Sequence, residues 1–121
     1  MIIKLPWPDR KLFPNSRVQK KYTNDIVQDY RYEAKIATLQ QKNKLNISTY
    51  PTSLTITFFP PDKRHFDADG VLTACKPAID GIFDALGFDD SVLESITITR
   101  AQVVKKGEIV IEANNWIKPV G

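Results

Sequence analysis

Residues 62–90 read DKRHFDADGVLTACKPAIDGIFDALGFDD. Val71, Leu72, Cys75, Ile79, Ile82, Phe83 and Leu86 recur at helical spacing and fall on one side of a helical wheel. Asp69, Thr73, Lys76, Asp80 and Asp84 fall on another. The pattern predicts an amphipathic helix with an apolar face and a charged stripe. Pro77 sits inside it without the N–H that would bond the Thr73 carbonyl, so a kink or a restart is expected there. Gly87 is a natural stop, since glycine adopts the left-handed conformation that closes many helices.

Outward from this segment the pattern changes period. Leu54, Ile56 and Phe58 alternate with Thr55 and Thr57, which is a strand with one buried face. Pro60-Pro61 ends it. Residues 43–51 read as a turn. Thr23 or Asn24 is placed to cap a second helix running to about Lys42, with Ile26, Val27, Tyr30, Ala34, Ala37 and Leu39 near one stripe. Residues 1–5 suggest a short strand. Residues 6–21 carry three prolines and many cations, as an ordered basic arm or loop would. Ile96, Ile98 and Val103-Val104 suggest a strand, Lys105-Lys106-Gly107 a turn, and Ile109-Val110-Ile111 a strand returning from it. The expected fold is α+β: one domain over residues 1–121, with a mixed or antiparallel sheet packed against two main helices. No repeat, linker or low-complexity segment interrupts it.

A chain of 121 residues suits one domain and can bury a core without covalent staples. Its single cysteine, Cys75, cannot form an internal disulfide or a cysteine-rich zinc site. Cys75 lies on the apolar stripe, as a core residue rather than a nucleophile would. No apolar run is long enough to span a bilayer, and Lys4 and Pro6 come too early for a signal peptide. The expectation is a cytoplasmic protein with no membrane partner.

Net charge is +3, unevenly spread. Residues 1–50 hold ten Lys and Arg against four Asp and Glu, whereas residues 62–94 hold three against eight. An acidic cluster framed by cations suits a nuclease, where cations grip phosphates and carboxylates hold a divalent metal. A merely solvated surface would look the same by charge alone.

The carboxylates narrow the choice. Asp67 and Asp69 lie two residues apart, so in extended chain both face one way, and at a helix start Asp69 lies near the cap. Asp89 and Asp90 follow the Gly87 break. Magnesium prefers oxygen ligands and keeps several waters. It eases proton loss from a bound water and offsets charge on phosphate oxygens. Lys76, seven residues after Asp69 and on its helical face, is suited either to position the attacking water or to neutralise the reacting phosphate. Each piece also has a plain structural reading: Asp69 as a cap, Asp89-Asp90 as a turn, and Lys76 as the i,i+4 partner of Asp80.

Residues 61–70 (PDKRHFDADG) and 76–90 (KPAIDGIFDALGFDD) resemble the core of the RusA-type Holliday-junction resolvases, small endodeoxyribonucleases common in phages and prophages. Leu5-Pro6-Trp7-Pro8 and Asn15-Ser16-Arg17 are similar to that family's N-terminal region. The resemblance covers most of the chain, and it is the order D-x-D, K, D-D that makes it specific. It differs in two places: Lys76 follows Asp69 by nearly two helical turns rather than about one, and Gly70 stands where asparagine is frequent.

The resemblance implies a RusA-like fold and a homodimer that makes paired nicks in four-way DNA junctions during recombination and repair. It implies Mg²⁺, with Mn²⁺ a possible substitute. Asp67, Asp69 and Asp90 match the metal-holding aspartates, with Asp89 the competitor of Asp90, and Lys76 matches the essential lysine. Lys63 and Arg64, with His65, resemble the basic loop beside the metal. Arg10, Lys11, Arg17, Lys20 and Lys21 give the arm a charge pattern suited to phosphates. Phe13 either wedges into an open junction or packs the arm onto the body. Trp7 and Trp116 suit packing or a dimer contact, and Asp80 suits tuning of Lys76. The alternative function is a DNA-binding module without catalysis, whose aspartates serve only caps and turns.

Overall fold

The computed structural model describes residues 1–14, 23–45 and 48–120. Its elements run β1 (Ile2–Pro6), α1 (Asn24–Leu45), β2 (Tyr50–Phe59), α2 (Ala68–Leu86), β3 (Ser95–Arg100) and β4 (Glu108–Ile117). The strands form one mixed sheet in the order β1-β4-β2-β3. β2 runs parallel to β3 and antiparallel to β4, which in turn runs antiparallel to β1. This is a small α+β domain with both helices on one face of the sheet.

Alternation decides that face. Ile3 and Leu5 of β1, Leu54, Ile56 and Phe58 of β2, and Ile109, Ile111 and Ala113 of β4 point into one core. They meet Val71, Cys75, Ile79, Ile82 and Phe83 of α2, and Tyr30 and Ala34 of α1. The Tyr30 hydroxyl donates to the Pro6 carbonyl at 2.8 Å, which ties α1 to the end of β1 and satisfies a buried polar tip. Burial raises the Tyr30 phenol well above its ordinary range. Thr38 is also fully buried; its hydroxyl donates to the Ala34 carbonyl one turn back, so the position tolerates a polar residue.

α1 begins after Thr23, whose carbonyl accepts from Val27 N–H, and it continues to Leu45, past the expected end near Lys42. α2 passes through Pro77 as one helix rather than restarting there. It ends at Gly87, with φ 80° and its N–H on the Phe83 carbonyl. At Gly81 the two helices touch backbone to backbone: a Cβ there would lie 2.0 Å from the Arg31 carbonyl oxygen. The Arg31 guanidinium forks onto both oxygens of Asp84, at 2.6 and 2.8 Å, and Lys42 donates to the Ala85 carbonyl at 3.1 Å. The last half of α2 is thus clamped to α1 and its terminal carbonyls are satisfied by a cation.

The expected strand pair around Lys105-Lys106-Gly107 is not a hairpin. The turn exists, with Lys106 and Gly107 both at positive φ and Gly107 seated against Trp7. But β2 lies between β3 and β4, and Val103-Val104 are outside any strand. The reason is the crossover: α2 carries the chain back so that β3 pairs parallel with β2, leaving the other edge of β2 for β4. Among the described residues, no helix is long and apolar enough to cross a membrane.

Candidate active site

The loop that delivers Asp67 is tied at several points. Asp62 accepts from the Arg64 N–H at 2.9 Å and pairs with the Arg64 guanidinium at 2.8 Å. Those hydrogen bonds hold the Asp62 carboxyl below its usual range. The Phe66 carbonyl accepts from Arg100 at the end of β3, and the Arg100 guanidinium lies 5.0 Å over the Phe58 ring. The Phe66 ring meets Trp7 edge-on at 5.0 Å, and Trp7 stacks on Phe13 at 5.9 Å. Phe13 therefore packs the arm onto the body.

Asp67 then occupies the N-cap position of α2, yet its side chain makes no capping hydrogen bond. It meets His65 Nε2 at 2.9 Å, and both side chains are largely exposed. Asp69, in the first turn, accepts from Gly70 N–H at 3.0 Å. Two carboxylates thus stand where the helix macrodipole favours negative charge. They line a cleft of about 450 Å³ with Arg10, Phe13, Arg64, His65 and Gly70.

Further along the same stripe, Lys76 Nζ donates to Asp80 at 2.9 Å and to Asp90, fourteen residues away. Desolvation lowers the lysine's affinity for its proton, but the bonds to Asp90 and Asp80 outweigh it, so its pKa is raised and it is an ammonium at neutral pH. Asp89 and Asp90 divide their tasks. Asp89 caps the single 3-10 turn Asp90–Val92, accepting from Ser91 N–H at 2.8 Å, and this bond lowers its pKa. Asp90 turns towards Lys76. These groups border a second cleft of about 400 Å³, mostly apolar, with Leu72, Thr73, Ile79, Leu93 and Ile96.

The structure accordingly gathers the expected residues in two clusters. Asp67 and Asp69 share one cleft with Arg10 and Arg64; Lys76, Asp80 and Asp90 share the other. Asp69 and Lys76 are seven residues apart on one helical face, roughly 10 Å along the axis. Thr73 joins them, donating to the Asp69 carbonyl at 3.0 Å while bordering the second cleft. Among the described residues, no group of three or more His, Cys, Asp and Glu side chains is placed to hold one metal ion. Lys63 is exposed in the loop before Asp67, and Lys11 is half-buried in the short 3-10 turn Arg10–Leu12. Arg17, Lys20 and Lys21 lie outside the described residues. Cys75 is fully buried and its thiol is pushed up to about 12, so it supplies no thiolate.

No family model matches the chain. An uncharacterized protein of Xylella fastidiosa (strain Temecula1) is 33% identical over 111 residues, covering 88% of this chain and 71% of the relative. The chain belongs to that protein's family. Since the match omits about an eighth of the chain, it runs through the α2 segment with its carboxylates and Lys76.

Two contributors to this region carry no mark in the sequence. Arg100 follows a Thr-Ile-Thr run like any strand-ending cation, and only the parallel β2–β3 pairing brings it to the Phe66 carbonyl. The aromatic trio Trp7, Phe13 and Phe66 spans sixty residues and forms the wall of the first cleft. Trp116 takes a different part: half-buried, it donates from its indole N–H to the Ala113 carbonyl at 3.1 Å.

Proposed function

We propose that this protein is a Mg²⁺-dependent, structure-selective DNA endonuclease of the RusA type, cutting four-way junctions in the cytoplasm as a homodimer. The observation that carries the reading is the contact between Lys76 and Asp90. Of the motif order D-x-D, K, D-D, the last two parts meet, while Asp89 is occupied as a cap.

The donor set fits a hard divalent cation. Asp67 and Asp69 offer carboxylate oxygens, and among the described residues neither is paired with a lysine or arginine. These two would hold Mg²⁺ or Mn²⁺; Asp90, in the other cleft, does not join them as a third ligand and is engaged with Lys76. A cation bound there supplies an acidified water and charge to offset the phosphate. The chain's own groups do the rest. Lys76 keeps a positive charge beside the reacting phosphate, where charge develops during in-line displacement. Asp80, on its i+4 side, holds that ammonium in place. Arg10, Lys11, Lys63 and Arg64, with Arg17 and Lys20 of the arm, grip backbone phosphates and orient the strand. Two identical sites on a symmetric dimer suit a junction with twofold symmetry.

The second reading, a binding module without catalysis, draws on the separation of the two acidic clusters. Incubating the protein with an end-labelled four-way junction, with and without Mg²⁺, divides the two. The nuclease reading expects paired nicks only when Mg²⁺ or Mn²⁺ is present. Intact arms with bound protein at every metal concentration would favour the module.

A further inference from the structure

Among the described residues the sheet has two open edges, and they differ. At β1 the Met1 carbonyl turns inward to Ala113 N–H, and the outward Ile2 carbonyl is covered by the Gln41 amide of α1 at 2.6 Å. Lys4 and Pro6 also sit in that strand, and both are devices that discourage pairing. β3 reads Ser-Ile-Thr-Ile-Thr-Arg. It has no proline, its only charge is terminal, and five of its six residues are exposed, Ile96 at 37% among them. Such a strand is a template for another strand.

We infer that β3 pairs antiparallel with β3 of a second copy about a twofold axis at Thr97, joining two sheets into one. Backbone groups alternate along a strand, so residues of equal parity must stand opposite one another. With the axis at Thr97, Ser95 faces Thr99 and Ile96 faces Ile98, each pair occurring twice. Moving the axis to Ile98 sets Arg100 against Ile96, and moving it to Ile96 sets Ile98 beyond the start of the partner's strand at Ser95. Only the Thr97 register matches both isoleucines with isoleucines, cross-strand pairs that stabilise sheets.

The side chains agree with this register. Ile96, Ile98 and Arg100 are in parallel register with Leu54, Ile56 and Phe58, so they lie on the helix-bearing face. There Ile96 borders the apolar cleft with Leu72, Ile79 and Leu93. The second copy's isoleucines extend that apolar surface across the axis, while Ser95, Thr97 and Thr99 remain on the outer face. The inference rests on the homodimer proposed above and adds its surface and register.

Sedimentation and cross-linking test the two separately. Cys75 is buried, so an introduced cysteine is the accessible thiol. Antiparallel partners stand about 4.5–5.5 Å apart at Cα, within disulfide reach. We expect twice the 13.8 kDa chain mass for the unaltered protein. Thr97→Cys should then form a disulfide-linked dimer under mild oxidation, and Lys4→Cys on the other edge should not. Ile96→Asp, at a partly exposed side chain, should weaken the dimer by roughly tenfold or more with unchanged circular dichroism. A dimer whose Thr97→Cys variant stays unlinked would overturn the surface and leave the dimer standing. Monomer mass throughout a concentration series would overturn both.

Discussion

The two halves of α2 carry the same charged stripe and use it differently. From Pro77 to Leu86 nearly every residue is buried, and Asp84 is committed to the Arg31 fork. From Ala68 to Lys76 only Val71, Ala74 and Cys75 are buried, and the polar residues face two clefts. One half is clamped and its charge does structural service. In the other half the carboxylates of Asp67 and Asp69 meet no lysine or arginine among the described residues. Periodicity alone assigns both halves to one amphipathic helix; what separates them is the set of ties to α1 at Gly81, Asp84 and Ala85.

Breaking the clamp has the largest expected effect. Gly81→Ala drives a methyl group into the Arg31 carbonyl, where the backbone of α1 has no room to yield. Loss of about 3 kcal/mol or more is expected, seen as a lower urea midpoint. An unchanged midpoint would mean that the helices are not in backbone contact there.

Next comes the open half and its partner across the turn. Asp90→Ala should lower junction cleavage by about a hundredfold. Asp89→Ala should lower the urea midpoint slightly and leave cleavage within a few-fold, because its carboxylate serves the 3-10 turn. Equal losses in cleavage would erase the distinction between the two aspartates.

The smallest effect is a pH dependence in the clamped half. The hydrogen bond from Arg31 holds the Asp84 carboxyl below its usual range. Its stabilisation is therefore complete above the unfolded value of about 3.9 and is lost as pH falls through the lower folded value. Asp84→Asn should flatten the acid limb of a thermal-stability profile and leave it unchanged in form near neutrality. An identical acid limb in both proteins would show that the fork contributes nothing.

Much of this architecture is legible in the sequence. The period of Val71 to Leu86 gives α2 and its two faces, the alternation of Leu54, Ile56 and Phe58 gives β2, and Gly87 marks the helix end. What is not legible is long-range. A Lys-Lys-Gly turn announces a reversal of direction and says nothing about which strand lies beside which, so β2 between β3 and β4 is invisible to it. β4 extends to Ile117 through Asn114 and Asn115, whose polar side chains hide the alternation. Asp89 and Asp90 are equivalent as letters; backbone geometry after Gly87 turns one to Ser91 and the other to Lys76. The carboxylates, expected at one point, lie instead in two clefts, Asp67 and Asp69 at the start of α2 and Asp90 in the 3-10 turn beyond its end.

The central claim is that the carboxylates of the open half act on a DNA phosphodiester. The direct measurement follows binding and cutting of one labelled four-way junction in Mg²⁺ by the unaltered protein and by Asp69→Asn. The account predicts that both retain the junction in a gel-shift assay and that only the unaltered protein releases nicked duplexes. Undiminished nicking by the variant would contradict it.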